Sequence, residues 1–172
     1  MNKGYTLVEL LVVMTILSLI GLTSFINLGN FREDKLLDTS LTNLQSLIRK
    51  AQSDASTGLR CSGVGGATWS VEFKDRKSIN LNCKAASQQN ATTVSVLSLG
   101  GDIQIQSISG DSGCQSSFPA NSVTVNLLPV AAGMTFIDPT ASCISTSKTL
   151  NITLSGKTGT RTVNINKGGS IN

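Results

Sequence analysis

The residues of this sequence that can do chemistry are one carboxylate inside an apolar segment, four cysteines and a basic C-terminal region. The sequence contains no histidine, the side chain used most often for general base catalysis and for zinc ligation. The close acidic pair Glu33-Asp34 falls on the charged side of a predicted helix, where we expect it to be solvated. No phosphate-binding glycine loop follows a predicted strand, and none of the abundant serines stands out as a nucleophile. We therefore expect no enzyme activity, no cofactor and no metal site.

The four cysteines all lie beyond the N-terminal segment, at Cys61, Cys83, Cys114 and Cys143. An even number in an exported domain indicates two disulfides. Four cysteines allow three pairings, and we favour Cys61–Cys83 with Cys114–Cys143 because each bond would then close a local hairpin or loop. Reduced, buried thiols are the alternative interpretation.

The apolar segment runs from Tyr5 to Leu28 and contains one charge, Glu9, and no proline. As a helix it would be about 36 Å long, enough to cross a hydrocarbon core of about 30 Å. The residues before it are few and basic, so Lys3 is expected on the cytoplasmic side and the C-terminal region outside. A secretory signal would be removed after its apolar region, whereas this run continues into an amphipathic helix.

Glu9 is the informative residue of this segment, because an ionisable side chain in a membrane segment is costly and is usually kept for a purpose. If the chain is cut between Gly4 and Tyr5, Glu9 lies one helical turn from a new α-amino group. The carboxylate of one subunit can then neutralise the terminal ammonium of a neighbour, since opposite charges attract strongly in a medium of low dielectric constant. Glu9 is therefore a candidate assembly residue.

The sequence KGYTLVELL resembles the class III signal of type IV prepilins and pseudopilins. The resemblance implies cleavage after Gly4 by a prepilin peptidase, N-methylation of Tyr5 and a role for Glu9 in filament assembly. The family most often has Phe where this chain has Tyr5, and because both are aromatic we expect processing to be retained. The alternative is an ordinary membrane anchor with a chance Gly-x4-Glu spacing.

The same resemblance implies partners and a location. The partners are other pilin or pseudopilin subunits, the prepilin peptidase/methyltransferase and an inner-membrane assembly platform. The location is the inner membrane, crossed once with the C-terminal domain outside the cytoplasm, and later an extracellular or periplasmic filament. Pilus and type II secretion systems share this signal, so it does not distinguish between them.

Beyond the apolar segment, a second helical pattern places apolar side chains on one side. The stripe alternates steps of four and three residues and consists of Leu37, Leu41, Leu44, Ile48, Ala51 and Ala55. We predict one nearly continuous helix from about Tyr5 to Thr57, stopped at Gly58. Gly21 and Gly29 are weak points in it, which local melting or close helix packing would explain.

After Gly58 the periodicity becomes that of short strands separated by polar or glycine-bearing turns. The predicted strands are Trp69–Phe73, Ser78–Cys83, Thr92–Leu99, Ile103–Ser107, Ser122–Leu128, Met134–Ile137, Thr149–Leu154 and Thr160–Ile165. We expect an antiparallel domain whose turns between paired strands include Gly100-Gly101, Gly156 and Gly159. The helical stripe is expected to cover one sheet face. Residues 84–93 and 109–121 are polar loops without an assignment.

The fold class is therefore α+β, a long N-terminal helix packed on a C-terminal antiparallel β domain. The predicted organisation is a leader at 1–4, a transmembrane or filament-core helix at 5–28, an amphipathic stalk helix at 29–57 and an extracytoplasmic β domain at 58–172. The segments LIRKAQSDAS, WSVEF and TLNITLSGKTGTRTVNINKGGSIN resemble the GspH/FimT type of minor pilin or pseudopilin. This resemblance implies a β-sandwich on a helical stalk and a scarce tip or priming role.

Residues 148–172 contain Lys148, Lys157, Arg161 and Lys167 and no acidic residue. Such a region can present positive charge to DNA phosphates, and the resemblance allows this because some FimT-like pilins bind DNA during natural transformation. No aromatic residue in this region can stack on bases, so a solvated edge that prevents strand aggregation is the favoured interpretation. The leading function is a filament subunit; the alternative is a tip-located module that binds DNA or a surface through Lys157, Arg161 and Lys167.

Overall fold

The computed structural model describes residues 6–128 and 133–172, except the side chains of residues 22–28, 30 and 112. One helix, α1, runs unbroken over Leu7–Ser56, which is 50 residues or about 75 Å. It begins after Thr6, whose Oγ1 accepts a hydrogen bond from the Glu9 amide at 3.3 Å. It ends before Gly58, whose φ of 66° is one that glycine adopts readily. The predicted continuous helix is confirmed over these residues.

Eight strands follow, and each predicted strand is present within three residues of its expected bounds. They are β1 (Thr68–Phe73), β2 (Ser78–Lys84), β3 (Thr92–Ser98), β4 (Gln104–Gly110), β5 (Val123–Leu127), β6 (Met134–Ile137), β7 (Thr149–Gly156) and β8 (Gly159–Asn166). The fold also contains a short helix, α2 (Ser142–Thr146), and a 3-10 turn at Asp111–Gly113, neither of which the sequence pattern predicts. Both lie in polar stretches too short for a helical pattern to show.

The strands form two antiparallel sheets, one of five strands in the order β3-β2-β1-β5-β6 and one of three in the order β4-β7-β8. Gly156 and Gly159 pair across the β7–β8 turn, as predicted. The prediction that Gly100-Gly101 joins two paired strands is wrong, because β3 and β4 belong to different sheets. Those glycines lie in the connection that crosses from one sheet to the other.

The inner faces of both sheets and one side of α1 share a single core. Alternation buries Trp69, Val71 and Phe73 on β1, as their shared face predicts. The predicted helical stripe is also confirmed: Leu41 is partly buried and the other five members are buried. The stripe covers more than one sheet, since α1 contacts β1 and β5 as well as β7 and β8. The helix therefore packs across the junction of the two sheets.

Two disulfides hold the segments outside the sheets. Cys61–Cys83 ties the chain just after α1 to β2, and Cys114–Cys143 ties the loop after β4 to α2. This is the pairing that the sequence favoured, and none of the described cysteines is free.

The unassigned loop at 109–121 is anchored by two carboxylates. Asp111 accepts hydrogen bonds from the Thr149 hydroxyl and the Lys148 amide. The buried Asp138 accepts from the Ser116 hydroxyl and from the amides of Thr140 and Ala141, the last two at 2.9 and 3.0 Å. Burial raises the pKa of Asp138, but these hydrogen bonds outweigh it and hold the pKa below its ordinary value. The loop is thus fixed by ionised side chains.

We predict that Asp138→Asn lowers the free energy of unfolding at pH 7 by about 1–3 kcal/mol, because an amide cannot accept all of these hydrogen bonds. A carboxylate with a depressed pKa in the folded state stabilises the protein above its unfolded pKa of about 3.9, and that stability is lost as the pH falls through the folded pKa. The variant should therefore lose less stability than the parent between pH 5 and pH 2, measured by denaturant unfolding with the disulfides intact. Asp54→Asn is the control, and an equal pH dependence in the parent and Asp138→Asn would contradict this account.

Candidate functional site

The first part of α1 exposes an apolar surface on all sides. Its large apolar side chains have relative exposures between 48% and 81%; they are Leu7, Val8, Leu10, Leu11, Val12, Val13, Met14, Ile16, Leu17, Leu19 and Ile20. Removing side chains of this kind from water stabilises a protein by about 1.5–3 kcal/mol each when burial is complete. The unrealised stabilisation is therefore on the order of 10 kcal/mol, as large as the stability of a typical domain. This surface requires an apolar environment or a partner.

The charged end of the same surface is Glu9. It lies in the first turn of α1, where the unpaired amides of the helix terminus favour a negative charge. Among the described residues, no cation forms a salt bridge with it. Gly4 and Tyr5, the predicted cleavage and methylation positions, lie outside the described residues. Within the described residues Glu9 is therefore an exposed carboxylate at the start of α1.

The predicted transmembrane segment, Tyr5–Leu28, is described only in part, since Tyr5 and the side chains of residues 22–28 lie outside the description. Within the described residues, no helix is long and apolar enough to cross a membrane. The helix continues through Gly21 and Gly29, and a Cβ added to either would meet no atom within 4 Å. Close packing at these glycines would thus involve a second chain.

The basic residues of the C-terminal region are held by contacts within the protein. Lys157 Nζ lies 2.7 Å from Asp102 Oδ2, and this hydrogen bond and the charge of Asp102 raise the pKa of Lys157. Lys167 Nζ donates to the Ser145 carbonyl at 2.8 Å and lies 5.7 Å from the centre of the Phe136 ring. Both cations are thus already engaged.

Arg161 on β8 is held by two carboxylates of α1. Its Nε donates to Asp38 Oδ1 at 3.1 Å and its Nη2 to Asp34 Oδ1 at 3.2 Å. Asp34 and Asp38 are one helical turn apart and so lie on the same side of the helix. We call Arg161, Asp34 and Asp38 the arginine clamp. It fixes β8 against α1 close to the point where the helix leaves the β domain.

The clamp corrects the expectation that Glu33-Asp34 is a solvated pair. Asp34 is half-buried and bound to Arg161, and Glu33 Oε2 is buried without a hydrogen bond in the described part of the chain. The β7–β8 turn lies beside Asp34, since the Thr158 hydroxyl donates to Asp34 Oδ1 at 3.4 Å. The sequence carried a signal for this arrangement, the four-residue spacing of Asp34 and Asp38, which indicates two carboxylates on one face.

Comparison with known proteins gives one finding. Residues 1–25 match the family model of the prokaryotic N-terminal methylation motif, so the chain has the N-terminus of a type IV prepilin-like protein. Such a motif implies, in general, a membrane-anchored precursor that assembles with other pilins and is processed by a prepilin peptidase. No curated protein and no solved structure matches the chain.

We predict that Arg161→Gln and Asp38→Asn each lower the free energy of unfolding by about 1 kcal/mol, the range for partly exposed ion pairs. The double variant should cost less than the sum of the two, because both remove the same contact. Denaturant unfolding of the four proteins measures this coupling. Lys84→Gln, which removes an exposed cation from β2, should be neutral, and strictly additive losses would show that the clamp is not an energetic unit.

Proposed function

We propose that this protein is a minor pilin or minor pseudopilin, a subunit of a type IV pilus-like or type II secretion filament. The observation that carries the proposal is the exposed apolar surface at Leu7–Leu19, joined by an unbroken helix to a folded β domain. The methylation motif at residues 1–25 supports it. Before assembly the segment Tyr5–Leu28 is embedded in the inner membrane; in the filament it packs against the same segment of neighbouring subunits.

The proposed cycle assigns a role to each residue of the motif. Lys3 keeps the N-terminus in the cytoplasm, cleavage after Gly4 exposes the amino group of Tyr5, and this group is methylated. Glu9, which forms no salt bridge within the described chain, pairs with the terminal ammonium of a neighbour. Two charges that are each unfavourable to bury alone thereby fix the position of one subunit along the next.

The GspH/FimT-like type is the form of minor subunit that we propose. Two antiparallel sheets packed on one side of a helical stalk support it, and the two disulfides are consistent with a domain outside the cytoplasm. DNA binding through Lys157, Arg161 and Lys167 is not part of the proposal. Carboxylates occupy the first two cations and Lys167 donates to a backbone carbonyl, so phosphate contacts would compete with contacts already made.

We predict that mass spectrometry of the N-terminal peptide from membranes shows a mature chain that begins at methylated Tyr5. Gly4→Val should leave the precursor uncut, because a β-branched side chain would occupy the position next to the cleaved bond. Gly29→Ala, far from that bond, should be processed normally. An intact Met1 terminus in the parent, or cleavage after the apolar segment, would contradict the proposed processing.

We further predict that Glu9→Ala is processed normally but incorporated into filaments at least about tenfold less than the parent. The reason is that an ammonium buried without its partner costs several kcal/mol. Glu9→Gln keeps the size of the side chain and should show the same loss, whereas Thr15→Ala, on the same helix, should not. The amount of subunit in sheared filaments relative to membranes is the measurement. Equal incorporation of Glu9→Gln and the parent would rule out the charge pair.

A further inference from the structure

One end of the β domain lies beside α1 just beyond the apolar segment, and three turns meet there. Thr158, in the β7–β8 turn, lies 3.4 Å from Asp34 of α1. Lys157 in the same turn contacts Asp102 at 2.7 Å in the connection between the sheets. Lys77, in the β1–β2 turn, donates to the Gly101 carbonyl of that connection at 3.0 Å. We call the surface formed by residues 74–77, 100–102 and 157–158 the basal surface.

The distance of the basal surface from the apolar segment follows from the rise of helix α1 between Leu28 and Asp34. Asp34 is six residues beyond Leu28, the last residue of the apolar segment, which corresponds to about 9 Å along the axis. The polar headgroup layer of a bilayer adds about 5–8 Å on each side of the hydrocarbon core. A subunit embedded by Tyr5–Leu28 therefore holds its basal surface about 1–4 Å from the outer edge of the headgroup layer.

Some of the charged side chains at this level form salt bridges or hydrogen bonds, and others form no salt bridge. Asp102 pairs with Lys157, Asp34 and Asp38 pair with Arg161, and Asp75 accepts hydrogen bonds from the amides of its own turn. Five exposed cations at the same level form no salt bridge in the described part of the chain; they are Arg32 and Lys35 on α1, and Lys74, Arg76 and Lys77 in the β1–β2 turn. Glu33 and Asp75 also form no salt bridge among the described residues, so the unpaired charge at this level is positive, five cations against two carboxylates.

The cations on α1 are accompanied by apolar side chains. Phe31 and Leu36 are 61% and 44% exposed, and Lys35 Nζ lies 5.5 Å from the centre of the Phe31 ring. On a helix these residues and Arg32 share the side that faces away from the buried stripe. Aromatic rings and cations with long aliphatic stems are the side chains that settle at a membrane interface.

We propose that the basal surface, with Arg32 and Lys35, docks on anionic phospholipid headgroups while the subunit waits in the membrane. The inference rests on the membrane anchoring proposed above. Cations near an anionic leaflet are attracted within about one Debye length, close to 10 Å at 0.1 M salt. Docking would hold the β domain upright on the bilayer and would be released when the subunit is drawn into a filament.

The test uses the full chain carrying Thr158→Trp, reconstituted in nanodiscs that contain a lipid with a nitroxide on its headgroup. Quenching of the introduced tryptophan, after subtraction of the Trp69 signal of the parent, reports how close the basal surface lies to the headgroups. With 30% phosphatidylglycerol, quenching should exceed that in pure phosphatidylcholine. Salt at 1 M, where the Debye length is about 3 Å, should remove the difference.

Charge variants identify the surface. Lys74→Gln/Arg76→Gln should lower the ratio of docked to undocked domains by roughly 25-fold, about fivefold for each cation. Arg49→Gln/Lys50→Gln is the matched control. These exposed residues also lie on α1, but about 21 Å further from the apolar segment than Lys35 does. Equal quenching in the two lipids, or an equal loss in the control, would overturn the proposed lipid docking and leave the proposed membrane anchoring unaffected. A chain that fails to enter the nanodiscs would contradict the anchoring, and the inference with it.

Discussion

The structure depends on one constraint: a single unbroken helix has an exposed apolar part and a part that packs on the β domain. Over its first part every large apolar side chain that the structure describes is exposed, whereas from Leu37 to Ala55 the apolar side chains face the β domain. The unburied part represents a free energy on the order of 10 kcal/mol, comparable to the stability of a whole domain. The isolated chain does not bury these side chains. A membrane or other subunits would supply the apolar environment that stabilises them.

This constraint explains why the second part of α1 is held so firmly. The apolar stripe packs across the junction of the two sheets, the arginine clamp fixes the end near the apolar segment, and Gln52 Nε2 donates to the Gly169 carbonyl at 2.8 Å near the other end. Contacts along the whole stalk mean that a displacement of the apolar part moves the β domain with it. A subunit that is positioned by its helix requires that coupling.

The sequence predicted the elements of the fold better than their arrangement. Helix α1 and all eight strands follow from local periodicity, and the favoured disulfides follow from short spacing along the chain. The membership of strands in sheets does not, because Gly100-Gly101 permits either a hairpin or a crossover and only the three-dimensional core decides which forms. The roles of Asp34, Asp111 and Asp138 were missed for the same reason. Their partners are Arg161, Thr149 and Ser116, and nothing local connects these pairs.

Salt bridges within the fold also decide which cations of this chain, whose net charge is +4, are available for contacts with other molecules. By sequence, the C-terminal region 148–172 is a block of four cations without an acidic residue, and a DNA contact was the alternative to a solvated edge there. In the fold, the Lys157 and Arg161 charges of that region are matched by carboxylates from α1 and from the connection between the sheets. The same contacts remove these carboxylates as partners for the cations of the outer side of α1. Folding therefore pairs two cations of the C-terminal region and leaves Arg32 and Lys35, on the outer side of α1, without a salt bridge in the described part of the chain.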